Sequence, residues 1–337
     1  MKKSILIVSS LLFFSASLFS ATWRVNNFPN AQADFTTLSA AIEAATDGDV
    51  IYIEGTGLNY EEGQINLTKS LTFYGTGYFL LENEDTQANH LPAVVSVMLI
   101  VDAGSEGSLF SGISFVGGLL YVYTSEITFE RCQISSEMRL RGWDQDISNF
   151  MMKQCYVYAN LWVWDMAYPS SNIVFQNNVF FDGMSLNKDL GSYVVRNNIF
   201  AGHYSSLFGV NMTVQNNIID GGVNSSVGNN NLVENNIIGT GEMPEMGENN
   251  IGGIVLSEVF VDYPDGENTS PDAMFVLQAG SVAQGHGMGG IDCGIFDGNF
   301  PYILSGLPPI PRIYESNISG VGNTNGLQVH IKAKSQH

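Results

Sequence analysis

The segments VFQNNVF from Val174, VVRNNIF from Val194, TVQNNII from Thr213 and LVENNII from Leu232 write one pattern four times, and GENNIGG from Gly247 is a weaker fifth copy. Their second asparagines, Asn178, Asn198, Asn217, Asn236 and Asn250, are 20, 19, 19 and 14 residues apart. Upstream, FERCQI and MKQCYV place Cys132 and Cys155 at the same point of the pattern, 23 residues apart, with Ile113 of FSGISF a further 19 before. A period near twenty, with β-branched alternation and Gly/Asn turns, predicts an all-β solenoid. Each coil adds a short strand to each of several parallel sheets, whereas helical repeats need longer units.

That winding explains the asparagines without chemistry. Amides stacked at one turn hydrogen-bond to the coils above and below, and asparagine tolerates the left-handed backbone that turns demand. Cys132 and Cys155 stack in the same column about one strand spacing, ~4.8 Å, apart. Their Cβ vectors are then parallel, so the expectation is two buried free thiols. With Cys293 they form an odd set lacking CxxC, which indicates neither a disulfide framework nor a zinc cluster.

A solenoid has open ends that need covers. At the front, FTTLSAAIEAATDGDVIYIEG sets Leu38, Ala41, Ile42 and Ala45 at helical spacing before a DGD turn and a strand, which predicts a short amphipathic capping helix. Ahead of it, residues 1–21 pair two lysines with a short apolar run and a small-residue end, the layout of a secretory signal peptide. The mature chain is expected to be exported. No later segment is apolar enough to span a bilayer, and no cysteine follows the small residues to carry a lipid.

Removing that leader moves the formal charge from −20 to −22. So acidic a chain repels phosphate backbones, which excludes nucleic acid as the expected partner. Acidic polysaccharides are repelled too, unless a basic patch or bound calcium intervenes.

With the opener AAIEAATDGDVIYIEGTGLNYEE, the following LTKSLTFYGTG, the NN coils and the late LQAGSVAQGHGMGGIDCGIFDG, the chain resembles the secreted bacterial pectin-lyase-like group of right-handed parallel β-helices. The resemblance implies a β-helix over residues 22–298, including its N-terminal cap. It leaves function open, because the group holds lyases, hydrolases, adhesins and uncharacterised proteins. Residues 299–337 then form a proline-rich linker and a C-terminal β extension, where Leu327, Val329, Ile331 and Ala333 alternate with Gln328, His330, Lys332 and Lys334 as in a half-buried strand.

The hydrolases of that group carry paired aspartates and a Gly-His-Gly. Here GHG falls at Gly285–Gly287 in the late stretch, no Asp-Asp pair occurs, and His286 reads as a turn residue. Asp182, His203 and Asp220 each follow their coil's asparagine pair by a few residues, so two acids and a histidine could share proton-transfer work at one turn. Ordinary turn chemistry explains FFDG and IIDG as well and is the preferred reading. No cofactor is expected. Calcium has one candidate loop, VDYPDGENTSPD, which offers Asp262, Asp265, Glu267 and Asp272, although a solvated acidic turn is preferred.

The stretch LWVWDM carries the sharpest functional signal. If Cys155 marks the turn, Val157, Ala159, Leu161 and Val163 face inward, and Tyr156, Tyr158, Trp162 and Trp164 face outward. The offset of 23 residues sets Arg139 beside Trp162 and Arg141 beside Trp164, and one coil earlier LYVYT exposes Tyr121 and Tyr123. Aromatic faces with planar guanidinium donors suit sugar rings. Covered packing under a long loop or under the C-terminal strand is the equal alternative.

Three functions remain open. The preferred one is an exported, non-catalytic protein that holds a polysaccharide or cell-surface glycan through Tyr121, Tyr123, Arg139, Arg141, Trp162 and Trp164. The second is a polysaccharide lyase, with an arginine on the uronate carboxylate and a tyrosine or Lys153 as base. The third is a structural rod. Oligomeric state is left open.

Overall fold

The computed structural model describes residues 20–142, 145–163, 169–186, 191–202, 207–224, 230–239, 247–264, 266–319 and 327–335. Residues 1–19 of the leader, Trp164, His203 and Asp265 lie outside them.

The chain winds into a parallel β-solenoid of about 8 turns. One sheet stacks from Thr22–Val25 up to Leu232–Glu234. A second sheet forks at the long strand Val94–Val101, whose first residues pair with Ser114–Phe115 and whose last residues pair with Leu120–Val122. Above the fork the coils add their strands to three columns. We call these columns the first sheet, the second sheet (Ser114–Phe115 up to Ile237–Ile238) and the third sheet (Leu119–Val122 up to Val223–Asn224).

Strand alternation sends every second side chain of the first and third sheets into the bore. On the first sheet Phe73, Phe110, Phe129, Met152 and Phe175 occupy successive levels in register. The Phe73 and Phe110 rings stack at 4.9 Å, and Phe110 and Phe129 at 4.7 Å. Each such pair adds about 0.5–1.5 kcal/mol beyond area burial.

The two asparagines of each repeat have different tasks. The second is the ladder. Asn198 Oδ1 accepts from the Asn178 backbone N–H and side-chain amide at 3.0 Å each, and Asn217 Oδ1 and Asn236 Oδ1 repeat the arrangement one level up. Asn250 closes the column, and the Cys155 N–H donates to Asn178 Oδ1 at its lower end. The first residue makes the turn: Arg131, Gln154, Asn177, Asn197, Asn216 and Asn235 all have φ between 54° and 59°. Asparagine bears that conformation at lower cost than most residues. Cys132 and Cys155 are buried free thiols, as the stacking predicts.

The front cover is helix α1 (Leu38–Ala44), which buries Leu38, Ala41 and Ile42. The coil above holds both its ends. The Glu62 carboxylate accepts from Leu38 N at 2.6 Å and Ser39 N at 3.0 Å, and Lys69 Nζ donates to the carbonyls of Ile42, Glu43 and Ala45. An anion at the N-terminus and a cation at the C-terminus satisfy orphan backbone groups and oppose the helix dipole.

Beyond Ile251 the chain turns back and runs down the outside of the second sheet. Its outward residues Tyr156, Val179, Ile199, Ile218 and Ile237 form a second hydrophobic cluster with Leu256, Val259, Phe260, Phe275, Cys293 and Ile295. Tyr156 thus points out of the bore, as expected, but is buried under the strap rather than exposed. The turn residues grip this strap in antiparallel order. Asn235 donates to His286 O at 3.0 Å, Asn216 Oδ1 accepts from Met288 N at 2.8 Å, and Asn177 donates to Ile295 O and Asp297 O at 2.8 Å each. Gln154 donates to Pro301 O, and Arg131 donates to Leu307 O at 2.9 Å. Gly306 lies where a Cβ would stand 2.3 Å from the Tyr78 ring and 2.5 Å from Arg131 O, and its φ is 52°. Only glycine fits there.

The strap ends against the early coils, where the buried Tyr78 and Tyr302 hydroxyls are 2.6 Å apart. Tyr302→Phe leaves Tyr78 without that partner and is expected to cost about 1 kcal/mol. A urea titration reads it as a lower midpoint at unchanged slope, and an unchanged midpoint would show that the bond contributes nothing.

The C-terminal segment departs from expectation. Gln328–Lys334 pairs antiparallel with Arg312–Ser319 as a two-stranded hairpin, and Ile318, Val329 and Ile331 are 61%, 52% and 50% exposed instead of half-buried. Apolar alternation reports strand geometry and not what covers the strand. The hairpin's base is tied to the early loop by Ala88 N to Ile313 O at 2.8 Å and by Lys334 with Asp85 at 3.2 Å. Among the described residues no helix is long and apolar enough to cross a membrane.

Candidate functional site

The strap covers the second sheet, while among the described residues large side chains stand exposed on the third. There the register sets Tyr121, Arg139, Trp162, Ser185 and Phe208 one above another, all pointing out of the bore. Trp162 is 36% exposed and Phe208 42%. The lower part of the column is a cation–aromatic stack: the Arg139 guanidinium lies 5.8 Å from the Tyr121 ring centre, and the Tyr121 and Tyr123 rings are 5.5 Å apart. Arg141 follows two residues after Arg139 on the same coil, and its N–H donates to Val122 O at 3.0 Å.

The charge of this stack is lower than its arginines suggest. Glu137 shares the outward face of the same strand, and its carboxylate pairs with Arg139 Nε at 2.6 Å. That hydrogen bond pushes the guanidinium pKa up. At the level of Arg139 the stack is thus closer to a neutral planar surface than to a basic patch.

Above it lies a groove of about 310 Å³ at the corner between the second and third sheets. Trp162 and Phe208 flank it, with Ser185 between them, and Asn160 and Asp182 supply its polar edge. The Asp182 carboxylate accepts from Asn160 Nδ2 and from Gly183 N, both at 3.1 Å. Offset aromatic faces beside a fixed carboxylate can stack a flat apolar ring face and accept hydrogen bonds from its rim.

The proton-transfer trio is not assembled by the described residues. Asp182 and Asp220 occupy the same corner but stand two coils apart: Asp220 is level with Phe181 and Ala201, while Asp182 is one residue further on. Two levels are ~9.6 Å, wider than the ~5–5.5 Å of a retaining carboxylate pair and at the outer limit of an inverting one. His203 lies outside the described residues. Lys153, the candidate base, is on the first sheet, ion-paired to Glu130 at 2.9 Å and 4.7 Å from the Phe300 ring centre. It faces away from Arg139.

The acidic loop is likewise committed to its own backbone. Asp262 accepts from Asn268 N at 2.7 Å, Asn268 Nδ2 at 3.2 Å and Thr269 Oγ1 at 3.1 Å, which holds its carboxyl below the usual range. Asp272 is buried in a separate network, Glu267 is exposed, and Asp265 lies outside the described residues. No group of three or more acidic, His or Cys side chains able to hold a metal occurs among the described residues. His286 is part of the strap, its Nε2 2.6 Å from Asn249 O.

No family model matches this chain, and no curated protein sequence matches it. The geometry therefore defines the class: a parallel β-solenoid with one sheet sealed by a return strap and another carrying an aromatic column with a groove.

Proposed function

We propose that this protein is an exported, non-catalytic solenoid that holds glycan on the outward face of its third sheet, as an expected member of the secreted pectin-lyase-like group. The observation that carries this reading is the column Tyr121, Arg139, Trp162, Ser185 and Phe208, with a groove at its upper end, on a face the strap leaves open. A rigid sheet holds these side chains at fixed spacing, so little ordering cost accompanies binding. The leader-like residues 1–21 support export.

The test is calorimetric titration of the mature chain with oligosaccharides. Trp162→Ala is expected to weaken binding at least ~10-fold, the equivalent of about 1.4 kcal/mol, and Phe208→Ala by a similar factor. Neither side chain enters the bore, so the unfolding midpoint should hold. Unchanged affinity in both variants would remove the third sheet as the binding face.

A further inference from the structure

We infer that the groove takes uncharged, hydroxyl-rich glycans and turns away those built from uronic acids. This rests on the glycan reading of the same groove and adds the class of sugar.

Consider first what the groove offers a ligand. Among its described lining residues none is Lys, Arg or His, and the one charged group is Asp182. Each Asp182 oxygen accepts one protein donor, Gly183 N or Asn160 Nδ2. A carboxylate has about four acceptor sites, so it has room for further hydrogen bonds, which a ligand supplies as donors when it displaces water. Sugar hydroxyls are such donors. A uronate carboxylate is not, and it would add a like charge beside Asp182.

The nearest cation does not rescue a uronate. Among the described residues the cation level with Trp162 is Arg139 on the neighbouring coil, and its charge is already paired with Glu137 through Nε. The surrounding field has the same sign, since the whole chain carries a formal charge of −20.

The spacing of the rings also points to a polymer. Trp162 and Phe208 flank Ser185 on three successive strands, which puts the rings two strand spacings apart, ~9.6 Å. A linear oligosaccharide lying along the solenoid axis can place separate sugar rings on each, with the serine level between them.

The experiment titrates the mature chain with neutral cello-, manno- and xylohexaose and with hexagalacturonate and hexamannuronate, at low salt and at ~0.5 M salt, where fields beyond a few ångströms are screened. The tightest ligand is expected to be neutral and to exceed the best uronate by about 10-fold, with the ratio surviving high salt. Asp182→Asn and Asp182→Ala, each confirmed folded by its unfolding midpoint, should narrow it. A uronate that binds as tightly as the best neutral sugar overturns the inference and leaves the glycan reading standing. A preference that vanishes at high salt, or is unmoved in both variants, also overturns it, because net charge rather than the groove would be selecting. Failure of all five sugars to bind defeats the glycan reading and the inference together.

Discussion

Replacing Asn198 with alanine is expected to lower stability by about 3–5 kcal/mol, well beyond the effect at its turn-forming neighbour Asn197. Asn198 Oδ1 receives two hydrogens from Asn178, and its amide donates to Asn217 Oδ1 at 3.1 Å, Phe175 O at 2.9 Å and Arg196 O at 3.0 Å. Its side-chain partners and Phe175 are beyond the reach of water, since Phe175, Asn178, Asn198 and Asn217 are all fully buried, and only Arg196 O is at a part-buried position. Alanine leaves the Asn178 N–H without an acceptor, and a buried orphan donor costs about 1–3 kcal/mol by itself. The control is its neighbour. Asn197 has φ 54°, and its amide reaches Gly294 O only at 3.5 Å, so Asn197→Ala is expected to cost about 1–2 kcal/mol of left-handed strain. Urea denaturation followed by circular dichroism compares the two, and an Asn198 effect no larger than that of Asn197 would contradict the ladder.

The repeat period made the coils legible, and strand alternation made the third sheet legible. Arg139 stands beside Trp162 because both lie at the same distance from the stacked residues Cys132 and Cys155, which follow the turns at Arg131 and Gln154. The same alternation places Glu137 on the face of Arg139, two residues away, so the neutralising partner was there to be read. The strap was not anticipated, and its signature was present. After each of the first four asparagine pairs come two apolar residues in a row, as in Ile218–Ile219 and Ile237–Ile238. A short strand apolar on both sides is covered on both sides. Tyr156 misled for the same reason: an outward position on the second sheet is interior to the strap. The groove depends on Asn160 and Asp182, corner residues whose contact arises only when successive coils stack, and no local pattern announces it.

The strap's own keystone is Asp272, and its removal is expected to cost about 3 kcal/mol and to open residues 286–307 to proteolysis. The side chain is fully buried and joins three distant parts of the chain: Oδ1 accepts from Asn83 Nδ2 at 2.9 Å and Ser270 Oγ at 2.8 Å, and Oδ2 from Ser305 N at 2.6 Å. In Asp272→Ala the buried Ser305 N–H loses its acceptor, and the Asn83 amide and Ser270 hydroxyl are left with only each other and Ser305 Oγ. Burial raises the carboxyl pKa, and the three donors only partly oppose it. The folded chain therefore binds this proton more tightly than the unfolded chain does. The stabilisation linked to that proton is fully present below the ordinary carboxylate value, about 4, and is lost as pH rises through the raised folded value. The stability of the wild type relative to Asp272→Asn, which cannot titrate there, should accordingly grow as pH falls from neutral toward that ordinary value. Parallel urea titrations of the two proteins across this range measure the difference. A difference that instead grew with rising pH would mean that Asn83, Ser270 and Ser305 hold the carboxylate ionised, and that the strap is fastened by a charge rather than weakened by one.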